Sequence, residues 1–182
     1  MSPDWPLETD RLTLRPFVEE DFEAVHAMRS DPQVALYLYG EPMSEDEARA
    51  FLQTKIASPT WAAEGDWLTV AAVERGSGET VGDVSLHWVS ERHKTAEIGF
   101  IFDPRHQGKG LATEAARALL DWAFASGFHR VVGRTEVRNT ASARVLEKLG
   151  MRLEAHLVEN EWVKGEWQSE LGYAILDREW TA

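Results

Sequence analysis

The stretch D-P-R-H-Q-G-K-G-L-A-T-E-A, residues 103–115, restricts the fold of this chain more than any other. The run before it, A-E-I-G-F-I-F (residues 96–102), has the apolar, β-branched and aromatic character of a buried strand. Behind it Ala112, Ala115, Ala116, Leu119, Leu120 and Ala123 recur at helical spacing, so residues 109–126 read as a helix, with Gly127 as its C-terminal cap. A strand that turns through glycines straight into a helix leaves unsatisfied backbone N–H groups pointing outward at the helix start. Such a start attracts an anion, and Gly108 and Gly110 let the backbone approach it closely.

Charge supports an anionic ligand at this place. The chain carries a formal net charge of −12, yet residues 105–150 hold eight basic and four acidic groups, and the remaining segments are all negative. A polyanion held by the basic segment, with a cationic partner on the rest of the surface, is one reading; chance clustering is the other. The acidic balance argues against nucleic-acid binding.

The length of 182 residues suits one domain, 1–182, with a sizeable core. There is no cysteine, which rules out disulfides, thiolate metal sites and a cysteine nucleophile, and fits a cytoplasmic location. The opening M-S-P-D-W-P lacks a basic region followed by an apolar run, so no signal peptide is expected. No apolar run is long enough to span a membrane. The histidines show no metal-binding spacing, so no metal is expected.

Along the chain, residues 11–17 alternate as a first strand and residues 19–28 put Phe22, Val25 and Met28 on one helical face. Ser44 and Glu47 form a capping box for a helix to about Ala57, ended by Ser58-Pro59. Residues 67–74 and 80–89 read as a hairpin around R-G-S-G-E, followed by the strand 96–102. Residues 131–137 read as another strand, Asn139 caps a helix ending at Gly150, and residues 151–162 and 167–176 read as a closing hairpin. The order β-α-α-β-β-β-α-β-α-β-β predicts an α/β (α+β) fold with helices on a mixed central sheet.

The turn fails two familiar phosphate-loop patterns. It lacks the spacing of a Walker loop, and Gly108, Gly110 and Thr113 miss the dinucleotide fingerprint. What remains is R-x-x-G-x-G from Arg105 to Gly110, followed by L-A-T. This resembles the acyl-CoA signature of the GNAT superfamily of N-acetyltransferases, written Q/R-x-x-G-x-G/A. The segment E-V-R-N-T-A-S-A-R-V-L-E-K-L-G-M (136–151) resembles the later motif of that family, and L-E-T-D-R-L-T-L-R-P-F (7–17) resembles the opening of its ribosomal-protein N-terminal acetyltransferases, the Rim type. The resemblance covers nearly the whole chain. It implies the GNAT fold, with the fourth and fifth of the strands counted above splaying apart to admit pantetheine, and acetyl-CoA as co-substrate.

The resemblance also assigns roles. Backbone amides of Gln107, Gly108, Lys109, Gly110, Leu111, Ala112 and Thr113 would hold the CoA pyrophosphate, with Arg105 and Lys109 adding counter-charge. Backbone N–H groups near Phe100, Ile101 and Phe102 would face the thioester oxygen. Asn139 and Ser142 would contact CoA, and Ser142 would protonate the leaving thiolate. Each has a plainer alternative: strand pairing for residues 100–102, a helix cap for Asn139 and a first-turn residue for Ser142. Other branches use a tyrosine as the acid, and the late Tyr173 cannot be matched to that position. Two carboxylates are candidates for the base that accepts the amine proton. Glu97 lies in the strand before the turn, where the family often places a water-mediated base. Glu161 lies in E-W-V-K-G-E-W, which resembles the Rim-type segment carrying the proposed base, and is preferred. For either, a solvated surface carboxylate is the alternative.

Among eight tryptophans, Trp61, Trp67, Trp88, Trp162 and Trp167 lie in or beside strands expected to border the acceptor cleft, where core packing is the default and some are expected to line the pocket with Tyr37 and Tyr39. His87 and His106 are read as structural or rim residues. The expected partner is an amine acceptor of cationic character: a protein N-terminus, or a small molecule such as an aminoglycoside, polyamine or amino acid. No nucleic acid or membrane partner is expected, and a homodimer is compatible with the sequence. A non-catalytic acyl-CoA-binding module is the rival from another class.

Overall fold

The computed structural model describes residues 1–57 and 61–181. One eight-stranded sheet organises the molecule: β1 (Leu7–Glu8), β2 (Leu12–Arg15), β3 (Trp67–Glu74), β4 (Thr80–Ser90), β5 (Thr95–Phe102), β6 (Arg130–Glu136), β7 (Arg152–Val163) and β8 (Glu166–Leu176). Their spatial order is β1-β2-β3-β4-β5-β6-β8-β7. All neighbours are antiparallel except β5 and β6, joined by the crossover helix α4 (Leu111–Ala125). The other helices are α1 (Phe22–Arg29), α2 (Pro32–Ala35), α3 (Glu45–Ala57) and α5 (Thr140–Lys148).

Three features differ from the sequence expectation. β1 has two residues, too short for an alternation to show. α2 is a single turn after an Asp31 cap, with Pro32 at its first position. The first helix begins as a 3-10 turn over Glu19–Asp21. The proposed stop at Ser58-Pro59 lies outside the described residues.

The strands sort their side chains by period two. On one face Leu68, Val70, Ala72, Val84 and Leu86 pack against Leu111, Ala115, Leu119 and Leu120 of α4 in the main core. On the opposite face Ala71 packs with Phe17, Val25 and Leu52 under α1 and α3. Trp61 and Trp88 belong to the main core, stacked or edge-on to Phe128. Gly133 has a packing reason: a Cβ there would sit 2.6 Å from Leu146 Cδ2, so its absence lets α5 lie directly on β6.

Candidate active site

The sheet opens at its parallel seam. β5 and β6 pair at Thr95↔Arg130, Ala96↔Val131 and Glu97↔Val132, and no further. On the outer sides pairing continues, β4 with β5 to Gly82↔Phe102 and β6 with β8 to Glu136↔Glu170. The backbone edge of β5 from Ile98 onward therefore has no ladder partner on β6. These are the two strands expected to splay. A cavity of about 930 Å³ runs through the opening, from the glycine turn to the sheet face beneath α1–α3.

At one end of the cavity the turn is shaped to receive an anion. Gly108 and Gly110 have φ of 74° and 82°, the left-handed region. Gly110 is the N-terminal boundary of α4, and the first helical hydrogen bond runs from Glu114 N to the Gly110 carbonyl, which leaves the N–H groups of Leu111, Ala112 and Thr113 free of helical partners. Glu114 fastens this helix start to the β1–β2 turn by accepting from Thr9 Oγ1 (2.6 Å), Arg11 N (2.8 Å) and Arg11 Nε (2.7 Å). Gln107 Nε2 donates to the Phe102 carbonyl (2.9 Å), tying the turn to the end of β5.

Gln107, Gly108, Gly110, Leu111, Ala112 and Thr113 line the cavity, as do Phe100, Ile101, Phe102, Asn139 and Ser142. Arg105 and Lys109 do not. Arg105 is bound by Asp103 (Nη2–Oδ2 2.7 Å) and Glu79 (3.2 Å), which hold its guanidinium above the usual arginine range. At this end the cations on the wall come instead from α5, Arg144 and Lys148, one helical turn apart. Asn139 is a helix cap: its Oδ1 accepts from Ser142 N (3.1 Å). The Ser142 hydroxyl makes no hydrogen bond to a described residue.

At the other end the two proposed bases meet, and a third carboxylate joins them. Glu97 is held by Arg134 through Nη2 (2.8 Å) and Nε (3.1 Å). Glu161 accepts from the Tyr39 hydroxyl (2.7 Å). Partial desolvation of the hydroxyl, reinforced by that carboxylate, pushes the Tyr39 phenol up to about 12. A bulge in β7 accounts for the position of Glu161: Leu157 opposes Glu170 and Glu161 opposes Gln168, so four steps on β7 match two on β8. Glu170 is 8% exposed and its carboxylate is 4.0 Å from Arg134 Nη1. Burial, with Glu161 and Glu97 nearby, holds its carboxyl above the usual range against the pull of Arg134.

Sequence reasoning missed Glu170, Arg134, Arg144 and Lys148. Strand alternation puts Gln168 and Glu170 on one face, but the β6–β8 register that brings them to the seam is not written locally. Trp67 stacks on His87 at 4.4 Å on the cavity wall, and Tyr37 and Tyr39 line it too. Trp162 and Trp167 pack against each other and stand 61% and 58% exposed. Among the described residues no group of three His, Asp or Glu side chains is placed to hold a metal ion, and no helix is long and apolar enough to cross a membrane.

Comparison with known proteins agrees with this geometry. The family described as the acetyltransferase (GNAT) domain matches residues 11–152. The chain is 32% identical to the uncharacterized N-acetyltransferase YnaD of Bacillus subtilis, over 96% of this chain and 98% of that one. A GNAT-family acetyltransferase from Bacillus anthracis superposes with a TM-score of 0.86 at 33% identity, over 96% and 99% of the two chains. Spermidine N-acetyltransferase from Vibrio cholerae, solved with CoA and spermine, gives 0.78 at 25% identity over 94% and 98%. RimL, a ribosomal L7/L12 alpha-N-protein acetyltransferase in complex with coenzyme A, gives 0.81 at 22% identity over 94% and 97%, a likeness of fold. The chain belongs to the GNAT family and is an N-acetyltransferase.

Proposed function

We propose that this chain transfers the acetyl group of acetyl-CoA to a primary amine by direct attack on the thioester, and that its acceptor is the α-amine of a peptide chain. The observation that carries the reading is the end of β5–β6 pairing at Glu97, which joins the anion-receptive turn and the carboxylate group in one cavity.

In this reading the free N–H groups of α4 hold the pyrophosphate, with the helix dipole behind them and Arg144 and Lys148 alongside. Backbone N–H groups on the free edge of β5 face the thioester oxygen, and fixed backbone donors stabilise the charge that develops there. The amine nitrogen bonds to the carbonyl carbon as the carbon–sulfur bond breaks. The amine gives up a proton to Glu161, directly or through water, and the thiolate takes up a proton with the Ser142 hydroxyl as hydrogen-bond donor. An α-amine, with a pKa near 8, needs less help to lose its proton than a lysine near 10.4. The exposed aromatic side chains Tyr39 and Trp67 on the cavity wall support a chain-like acceptor, since such side chains recur where proteins bind one another.

A polyamine is the second reading. It is favoured by the three carboxylates at one end of the cavity and by the similarity to spermidine N-acetyltransferases. Mixing the protein with acetyl-CoA and a panel of peptides and polyamines, with a reagent that detects free thiol, tests both. Peptide-dependent thiol release with acetylated peptide in the mass spectrum is the expected result; release with polyamines alone favours the second reading.

A further inference from the structure

The acceptor half of the cavity has a second charged place, of opposite sign. Three rows cross β3, β4 and β5 on the face beneath α1–α3: Trp67–His87–Glu97, Thr69–Ser85–Gly99 and Ala71–Asp83–Ile101. Glu97 stands in the first row, with Glu161 and Glu170 of β7 and β8 beside it. At the third, Arg29 from the end of α1 is ion-paired with Asp83, with side chains 9% and 5% exposed. Lys55 of α3 shares the wall, and both cations lie against the Phe51 ring, Arg29 at 4.5 Å and Lys55 at 5.2 Å from its centroid.

The pairing there is incomplete. Two cations face one carboxylate. Arg29 Nε is buried and has no hydrogen-bond partner, and Lys55 forms no ion pair or hydrogen bond with a described residue. Arg29 and Asp83 neutralise each other, which leaves the Lys55 ammonium as the uncompensated charge on the cavity wall, open to an anion. Burial holds the Lys55 ammonium below the usual lysine range, with Asp83 opposing the shift. Thr69 and Ser85 provide further polar groups on the wall between the two ends.

We propose that this place binds an anionic group of the acceptor, so that the acceptor is an amine that also carries a carboxylate, Arg29 and Lys55 holding the carboxylate while the amine faces the seam. The proposal rests on the amine-acetylation reading above. The ends are set by four residue steps along β4, from His87 to Asp83, ~13 Å along the strand. With the cations reaching in from the helices, the amine and carboxylate stand about 10 Å apart, the span of a tripeptide. The carboxylate has two sources: the free C-terminus of a tripeptide, or an acidic side chain near the start of a longer chain. A polyamine has no group for this place and meets an excess positive charge there.

The test is calorimetric titration of the CoA-loaded protein with Ser-Ala-Ala, with its C-terminal amide, with an amidated Ser-Ala-Asp and with spermidine. Both carboxylate peptides are expected to bind at least about tenfold more tightly than Ser-Ala-Ala amide, and the tighter of the two identifies the source. Lys55→Gln, which removes charge without removing a hydrogen bond within the protein, should erase most of that preference. Arg29→Lys, which keeps the charge, should retain part of it. Equal binding of acid and amide, a preference that survives Lys55→Gln, or tighter binding of spermidine than of either acid overturns the proposal. Thiol release from acetyl-CoA is followed in parallel. Selective binding without release sinks the catalytic reading and leaves the carboxylate site standing; release without selectivity does the reverse.

Discussion

Three glutamates share the seam, and their surroundings separate their roles. Glu97 is engaged by two nitrogens of Arg134, whereas Glu161 has one hydrogen bond, from Tyr39. A base needs a free lone pair, so Glu161→Gln should depress kcat/KM near neutral pH by about a hundredfold to ten-thousandfold. The loss should shrink at high pH, where more of the amine is already neutral, and Glu97→Gln should have the smaller effect; pH–rate profiles of both variants check the ranking. Ser142→Ala should lower kcat by roughly tenfold to a hundredfold with little change in acetyl-CoA affinity, because the hydrogen bond strengthens as charge grows on sulfur. Single-turnover rates beside calorimetry make that comparison. Glu170 gives a stability signature. Its folded pKa is raised by burial, so its proton favours the folded state below the unfolded value near 4.5, and that contribution is lost as pH rises through the folded value. Tm of Glu170→Gln should therefore match the parent near pH 4 and gain on it as pH rises.

At the scale of elements, the local chemistry of the chain was legible wherever one segment carries its own signal. The Ser44–Glu47 capping box is formed, with Ser44 N donating to Glu47 at 2.8 Å and Glu47 N to Ser44 Oγ at 3.4 Å. Lys164 and Gly165, φ of 51° and 81°, make the two-residue turn of the closing hairpin. What was not legible depends on register between distant segments. Pairing of Glu97 with Arg134 needs the parallel β5–β6 alignment, and the inward turn of Glu161 needs a bulge that no periodicity shows. Arg105 satisfied the motif in the sequence but is taken up by Asp103 and Glu79, while the cations on the cavity wall near the glycine turn come from α5. The contact of α5 with β6 gives an element-scale prediction. Gly133→Ala forces a methyl to within 2.6 Å of Leu146 Cδ2 in a closed core, and overpacking of this kind costs about 1–3 kcal/mol. Chemical denaturation should show that loss. Because α5 carries Ser142 and is capped by Asn139, the same variant should weaken acetyl-CoA binding.

At the scale of the whole molecule, the one basic segment of an acidic chain, residues 105–150, contains α4, β6 and α5, which together with β5 border the seam. The sheet thus separates an anion-receptive end from a carboxylate-lined end and connects them where β5 and β6 part. In the proposed mechanism acetyl-CoA is held at the glycine turn that opens α4. Titration of acetyl-CoA into Gly110→Glu and Gly110→Ala tests it most directly. Both variants strain a φ of 82°, so the alanine variant controls for backbone strain while the glutamate adds bulk and negative charge at the helix start. Gly110→Ala should keep measurable binding, and Gly110→Glu should lose at least about a hundredfold in affinity with its cooperative melting intact. Unchanged affinity in a folded Gly110→Glu protein would contradict that mechanism.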